Sequence, residues 1–403
     1  MVTRAESSES LPLPTRVRAH TAFVARDVAD AALRAARFAL FLRDKPPRNP
    51  RGIIVHLVGN IGDIVVAIPT LVALRERYPH ARITLLTCRG ADHLPGARDV
   101  LSGARWVDNI EEYALRDVRS AHGLFRLLGT VRSLRPDLFV LLPPAHWSVH
   151  VVARNQLFAR ACGATFVSGL KVDLLNIFLS DQAKVLGERP REVDRLLESI
   201  RELGISTADV RFELAPPKEG ERALIGEQLA ALGGPFAVLC PGGKQVGQLW
   251  PSENFAIVGD RLRREAGLRL VTIGSEAERS TCQRTLVIAG GGVDVSGRLS
   301  VLGTAELLRH AQLVVTNDTG PMHLAAAVGT PVVAIFSSRD LAGRWYPYGP
   351  GHEVFRARLV CEECLFAPVR TDHCVRHIST DDVWKGCLRV LARSSGTIEH
   401  ADR

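Results

Sequence analysis

Val314-Val-Thr-Asn-Asp-Thr-Gly-Pro-Met-His-Leu-Ala-Ala-Ala-Val-Gly329 decides how this chain is read. An apolar run, Gln312–Thr316, has the length of a buried strand and ends in the polar loop Asn317-Asp318-Thr319-Gly320. Pro321 suits a first helical position, the next residues are rich in alanine, and Gly329 is placed to close the helix. Val332–Phe336 is the next apolar run. Strand, loop, short helix and strand make one unit of a parallel sheet. The first turn of such a helix has backbone amides with no partner, and these suit a pyrophosphate. His323, in that turn, can hydrogen-bond a phosphate or a sugar hydroxyl. A capped helix in an ordinary βαβ unit explains the same residues structurally. The density of polar groups beside a glycine favours a ligand.

The same rhythm runs outward in both directions. Gly52–Val58, Ile83–Thr87 and Asp137–Leu142 read as buried strands, with Ile64–Tyr78 as a helix. It slackens over Ser206–Glu219, around Pro216-Pro217, and restarts at Phe236–Cys240, with a helix at Phe255–Glu265 and a strand at Leu268–Ile273. The expected organisation is a tail over 1–15, a basic amphipathic helix over 16–47, one Rossmann-like domain over 48–210 and a second over 218–392. Two doubly wound α/β domains in tandem place a ligand cleft between them, at the carboxyl ends of strands.

Composition narrows the partners. The 403 residues hold 46% hydrophobic and 23% charged residues, the balance of a soluble enzyme, with a net charge of +8. A basic excess favours nucleotides, phosphorylated glycolipids or an anionic membrane surface. Nucleic acid is disfavoured, because no basic run is interleaved with aromatics, which are only 6%. No apolar stretch reads as a membrane span, and the first residues lack a secretory signal, so a cytoplasmic location is expected. Segment 16–45 carries seven Lys or Arg and three Asp, with Val24, Val28, Ala31, Ala35, Phe38 and Leu42 at helical spacing. It can lie on an anionic membrane at the inner face of the inner membrane, or pack on the protein itself.

Three further loops carry candidate chemistry. Gly59-Asn60-Ile61-Gly62-Asp63 follows the first strand; its glycines admit a ligand, and Asp63 is either a first-turn acid or a base for an acceptor hydroxyl. A dinucleotide fingerprint does not fit: the spacing is G-x-x-G, and Cys88-Arg89 stands where a ribose-binding acid belongs. Gly242-Gly243-Lys244, with Gln248 beyond, suits close approach to phosphate, with Trp250 as a packing residue and Ser252 as a helix cap. Glu278, in Gly274-Ser-Glu-Ala-Glu278, is placed to hold ribose or base hydroxyls, unless it only starts a helix.

Over residues 52–390 the sequence resembles the heptosyltransferase family, glycosyltransferase family 9. Residues 316–331 and 59–71 carry the strongest likeness, supported by P-G-G…W-P at 241–251 and by 274–278. The resemblance implies a GT-B fold and inverting transfer from ADP-heptose to a lipopolysaccharide core or similar glycolipid, with no metal or other cofactor required for catalysis. It makes Asp63 the base, and puts Asp318, Thr319, Gly320 and His323, with Asn317 beside them, on the sugar and diphosphate. Many members have a Lys before the Trp-Pro pair, where this chain has Gln248 and Leu249, with Lys244 upstream. Cys361, Cys364, Cys374 and Cys387 have the residue types of a structural zinc or iron site, as in relatives that glycosylate proteins. Protein O-heptosylation and non-catalytic nucleotide-sugar binding are the alternative functions.

Overall fold

The computed structural model describes residues 45–88, 95–144, 149–169, 188–244, 249–338, 341–357 and 374–394. The greater part of the expected basic helix, Gln248, Cys361 and Cys364 lie outside them. Eleven strands occur among the described residues: β1 Gly52–Val58, β2 Arg82–Cys88, β3 Asn109–Tyr113, β4 Leu138–Leu142, β5 Phe166–Ser168, β6 Phe236–Cys240, β7 Arg269–Thr272, β8 Val293–Asp294, β9 Leu313–Asn317, β10 Val332–Phe336 and β11 Glu353–Arg356. The helices are α1 Ile61–Arg77, α2 Ala97–Val100, α3 Ala121–Ser133, α4 Val149–Ala161, α5 Glu192–Glu198, α6 Glu219–Leu232, α7 Ser252–Arg264, α8 Arg279–Ile288, α9 Val301–Arg309, α10 Gly320–Ala327 and α11 Thr380–Ser394.

The strands form two all-parallel sheets, ordered β3-β2-β1-β4-β5 and β11-β10-β9-β6-β7-β8. Both reverse direction at their first strand, so the loops after β1 and after β6 stand at switch points, where open α/β sheets form crevices. Alternation along the strands sends side chains to opposite layers. Ile53, Val55 and Leu57 of β1 join α1 in a core that continues through Val238 of β6 to Met322 and Leu324 of α10. Ile54 faces a separate layer against Val131 of α3 and Ala159 of α4. Ala237 and Leu239 turn to a third, under α7 and α11. The fold is thus two Rossmann-like domains in GT-B architecture, with α1 of the first packed directly on α10 of the second.

Several local expectations need correction. The first helix begins at Ile61 rather than Ile64, because Asn60 already takes an extended cap conformation. Ser252 is the first residue of α7, not its cap; Pro251 occupies the cap position. Pro321 is the second residue of α10, after Gly320. Gly329 does follow the helix in a left-handed conformation, with φ of 81°. Strands β3, β5, β8 and β11 have no counterpart among the expected elements. Segment 206–218 has neither helix nor strand, and Phe212 and Leu214 within it pack on the shared core.

Candidate active site

β1 ends in a turn that brings a carboxylate back over its own glycine. The Asn60 backbone N–H donates to Asp63 Oδ2 at 2.8 Å. A methyl group on Gly59 would lie 2.2 Å from Asp63 Cγ, so this loop closes only with glycine there. Asp63 is therefore at once the acid that caps α1 and a carboxylate held at the domain contact. Burial pushes its pKa up from 3.8 to about 6, the Asn60 amide opposes the rise, the Glu192 carboxylate adds to it, and Lys244 opposes it. Lys244 thus sits near enough across the contact for its charge to act on Asp63.

The facing wall is the start of α10. Thr319 takes the extended cap conformation, and its Oγ1 lies 3.3 Å from Thr316 Oγ1. Asp318 donates its backbone N–H to Ile335 O at 3.1 Å, which fixes the loop to β10. A methyl on Gly62 would meet His323 Cδ2 at 3.0 Å, and one on Gly320 would meet Ile61 Cβ at 3.1 Å. These two glycines allow the two helix starts to touch. His323 is buried, with its ring edge-on to Trp345 at 5.8 Å. Burial lowers its pKa to about 4, against the pull of Glu192, so at neutral pH the ring has one donor and one acceptor.

The loop after β6 forms the third wall. Asn317 is wholly buried, and its amide is committed to structure: Oδ1 accepts from Trp250 N at 2.9 Å, and Nδ2 donates to Pro241 O at 3.0 Å and Gly242 O at 3.2 Å. It braces the glycine loop, whereas Thr319 beyond it faces Gly243. Trp250 is a packing residue, as expected, donating its indole N–H to Ile378 O at 3.0 Å. Glu278 lies against Gly242, where a methyl group would come within 2.3 Å of Oε1. Its Oε2 accepts from Ser275 N at 2.6 Å and Ser275 Oγ at 2.8 Å, leaving Oε1 turned towards Gly242. Gly243 faces Thr319, with 2.9 Å between a methyl placed there and Thr319 Cγ2. The structure thus brings Gly59, Asn60, Gly62 and Asp63 beside Gly320 and His323, sets Gly243 against Thr319 and Glu278 against Gly242, and holds Lys244 within electrostatic reach of Asp63.

A family profile described as glycosyltransferase family 9 (heptosyltransferase) matches residues 157–374. Lipopolysaccharide heptosyltransferase 1 of Pseudomonas aeruginosa is 31% identical over 323 residues, spanning 78% of this chain and 86% of that protein. The chain belongs to glycosyltransferase family 9. A family 9 glycosyl transferase from Veillonella parvula superposes with a TM-score of 0.67 at 19% identity, covering 85% of this chain and 98% of that one. The Escherichia coli heptosyltransferase WaaC, solved with ADP-2-deoxy-2-fluoro heptose, gives 0.55 at 19% identity, covering 83% and 98%. This chain is accordingly a GT-B glycosyltransferase.

One part of the transferase's crevice has no counterpart among the residues expected from sequence. Glu192, at the start of α5, is buried with Arg195 and Arg344. Its Oε2 accepts from Arg195 Nε at 2.8 Å and Arg344 Nη1 at 3.3 Å, and its Oε1 accepts from Arg195 Nη2. The Glu192 N–H donates to Arg344 O at 2.7 Å, and Tyr348 Oη donates to Asp194 Oδ1 at 3.1 Å. This network ties α5, which packs on α1, to the 341–348 segment of the second domain. It also brings a carboxylate into the electrostatic neighbourhood of both Asp63 and His323. The signal in the sequence is Arg-Glu-Val-Asp-Arg at 191–195, a buried-looking helix start with alternating charge.

Of the four candidate metal-binding cysteines, Cys374 and Cys387 fall within the described chain. Both are buried in the layer beneath α11, and burial pushes the Cys387 thiol up to about 12. No group of three or more metal-ligating side chains occurs among the described residues. No helix among them is long and apolar enough to cross a membrane.

Proposed function

We propose that this glycosyltransferase transfers heptose from ADP-heptose, with inversion, to a hydroxyl of a lipopolysaccharide core glycolipid. The observation that carries the reading is Asp63: a carboxylate fixed by the Asn60 amide, facing the N-terminus of α10 and within the electrostatic reach of Lys244. The names of the relatives support heptose and lipopolysaccharide, as does the solved WaaC complex with a fluorinated ADP-heptose.

In this reading the donor diphosphate lies along the glycine loop at 242–243 and the first turn of α10, where amides and a helix dipole meet negative charge. Glu278 holds hydroxyls of the nucleoside, and Asp318, Thr319 and neutral His323 orient the diphosphate and the sugar. Asp63 takes the proton of the acceptor hydroxyl as its oxygen attacks the anomeric carbon. The bond from that carbon to the β-phosphate oxygen breaks on the opposite face, and ADP leaves with its new charge stabilised by Lys244 and the α10 amides. A base whose pKa is about 6 is ionised at neutral pH while retaining most of its basicity. The basic amphipathic segment 16–45 would hold the enzyme beside its lipid-borne acceptor.

Calorimetric titration with ADP, UDP and GDP, followed by the matching heptose donors, tests the donor. Binding of ADP and ADP-heptose alone supports the assignment. Preference for another nucleotide would keep the transferase and discard its donor.

A further inference from the structure

We propose that the outer face of α3 and α4, with the turn that leads into α3, is a docking surface for an anionic phospholipid bilayer. Large apolar side chains stand in water here: Phe125 is 70% exposed, Leu157 56%, Leu115 54% and Leu124 44%. Their placement follows from the layering. α3 buries Val131 against the first sheet, while its Gly123 lies against the Asp117 carbonyl of the preceding turn, and α4 covers the same sheet face through Ala159, so both helices turn their opposite sides outward together. An apolar patch rimmed by polar groups marks an interaction site more often than a bare monomer surface.

The rim identifies the partner. Arg116, Arg119, Arg126, Arg132, Arg154 and Arg160 are all exposed on these elements. Neither residues 118–135 nor α4 contains an acidic residue. The carboxylate at this edge is Asp117, which Arg116 and Arg126 share at 4.0 and 3.9 Å. Guanidinium groups around exposed leucine and phenylalanine match phosphate headgroups over acyl chains. A second copy of this chain would set like charges against one another. The 16–45 segment carries a net charge of +4 and is disfavoured as a cover for the same reason.

Topology connects the surface to the site. The turn carrying Leu115, Arg116 and Arg119 follows β3, and Leu124 and Phe125 lie in the first turns of α3. In an all-parallel sheet these positions share the carboxyl rim with the β1 loop that holds Asp63. A bilayer against this face therefore presents a lipid-anchored hydroxyl along the rim that leads to the carboxylate. The inference rests on exposure and charge and needs no particular donor, so it can fail without touching the transferase assignment.

Co-sedimentation of the full chain with vesicles tests it, using phosphatidylcholine alone and phosphatidylcholine mixed with phosphatidylglycerol. The wild type should bind the mixed vesicles, release them as salt rises, and ignore the neutral ones. Phe125→Asp combined with Arg126→Glu should weaken binding at least about threefold, because it removes an apolar anchor and reverses a charge. Val287→Asp, at a position 79% exposed on α8, should leave binding unchanged. The proposal is overturned if the wild type does not prefer anionic vesicles. It is equally overturned if the double variant loses less than threefold, including the case where only neutralising segment 16–45 abolishes binding. A wild-type dimer that the double variant dissociates would reassign the face to self-association.

Discussion

Asp63 performs two tasks with one carboxylate, and they conflict energetically. Oδ2 closes the turn at Asn60, yet burial raises the pKa to about 6, so the carboxylate is ionised at neutral pH but at a cost to the fold. Two outcomes follow. Turnover under kcat/KM conditions should rise with pH through about 6 and then level, because the free enzyme must lose that proton. In stability the sign is opposite. The folded pKa lies above 3.8, so the protonated carboxyl favours the fold at low pH, and this contribution is lost as pH rises through about 6. Thermal melts should therefore show Asp63→Asn gaining on the wild type as pH rises from about 4 to about 6, and holding that gain above it. At Gly242, alanine would drive a methyl into Glu278 Oε1 at 2.3 Å. Gly242→Ala should raise the donor KM about tenfold with a smaller change in kcat, since it displaces the carboxylate that holds the nucleoside and leaves the reacting centre alone. At this scale the sequence is informative where a residue's task is local. Asp63, His323 and the glycines stand in short motifs that join a strand to a helix. Asn317 is a brace rather than a ligand group, which its own neighbourhood does not show, because its partners Trp250, Pro241 and Gly242 are about seventy residues away in the chain.

Elements are legible in proportion to how completely they are buried. β1, β4, β6, β9 and β10 are central strands with apolar residues on both faces, and their sequences show it. β3, Asn-Ile-Glu-Glu-Tyr, is an edge strand with every residue half-buried, and β11 is another. β8 has two residues and β5 three, too few for a pattern to declare itself. The Asn317 brace links β9 to the glycine loop. Asn317→Ala should leave the Trp250 N–H and two carbonyls without their partner, costing roughly 2–4 kcal/mol in denaturant unfolding. The Glu192 network is a more severe case. Glu192→Ala would remove the carboxylate that two buried guanidinium groups share, for a loss of about 3–5 kcal/mol measured the same way.

Across the whole molecule, the two domains share a single continuous core through α1 and α10, and the crevice lies where these helices begin. Periodicity implies two Rossmann-like units and a site between them. It does not reveal that α5, packed on α1 of the first domain, also bonds to residues 341–348 of the second, since such pairings depend on three-dimensional closure. The closeness of the domains is helped by Gly62 and Gly320, where an added methyl would meet His323 Cδ2 at 3.0 Å and Ile61 Cβ at 3.1 Å. Gly320→Ala should press on Ile61 and spread the helix starts by a few tenths of an ångström, lowering turnover by up to about tenfold, less than the roughly hundredfold of a 1 Å misplacement, with the melting point little changed. Activity and melting assays on the same preparation separate the two effects.

The mechanism depends most on Asp63 as the group that receives the acceptor's proton. Single-turnover transfer from ADP-heptose to a lipopolysaccharide core acceptor, compared between wild type and Asp63→Asn with ADP affinity measured alongside, tests that role directly. Transfer should slow by about 10²–10⁴-fold with ADP affinity within a few-fold of wild type. Transfer at near wild-type rate by Asp63→Asn would contradict the mechanism, and would leave Asp63 as only the cap of α1.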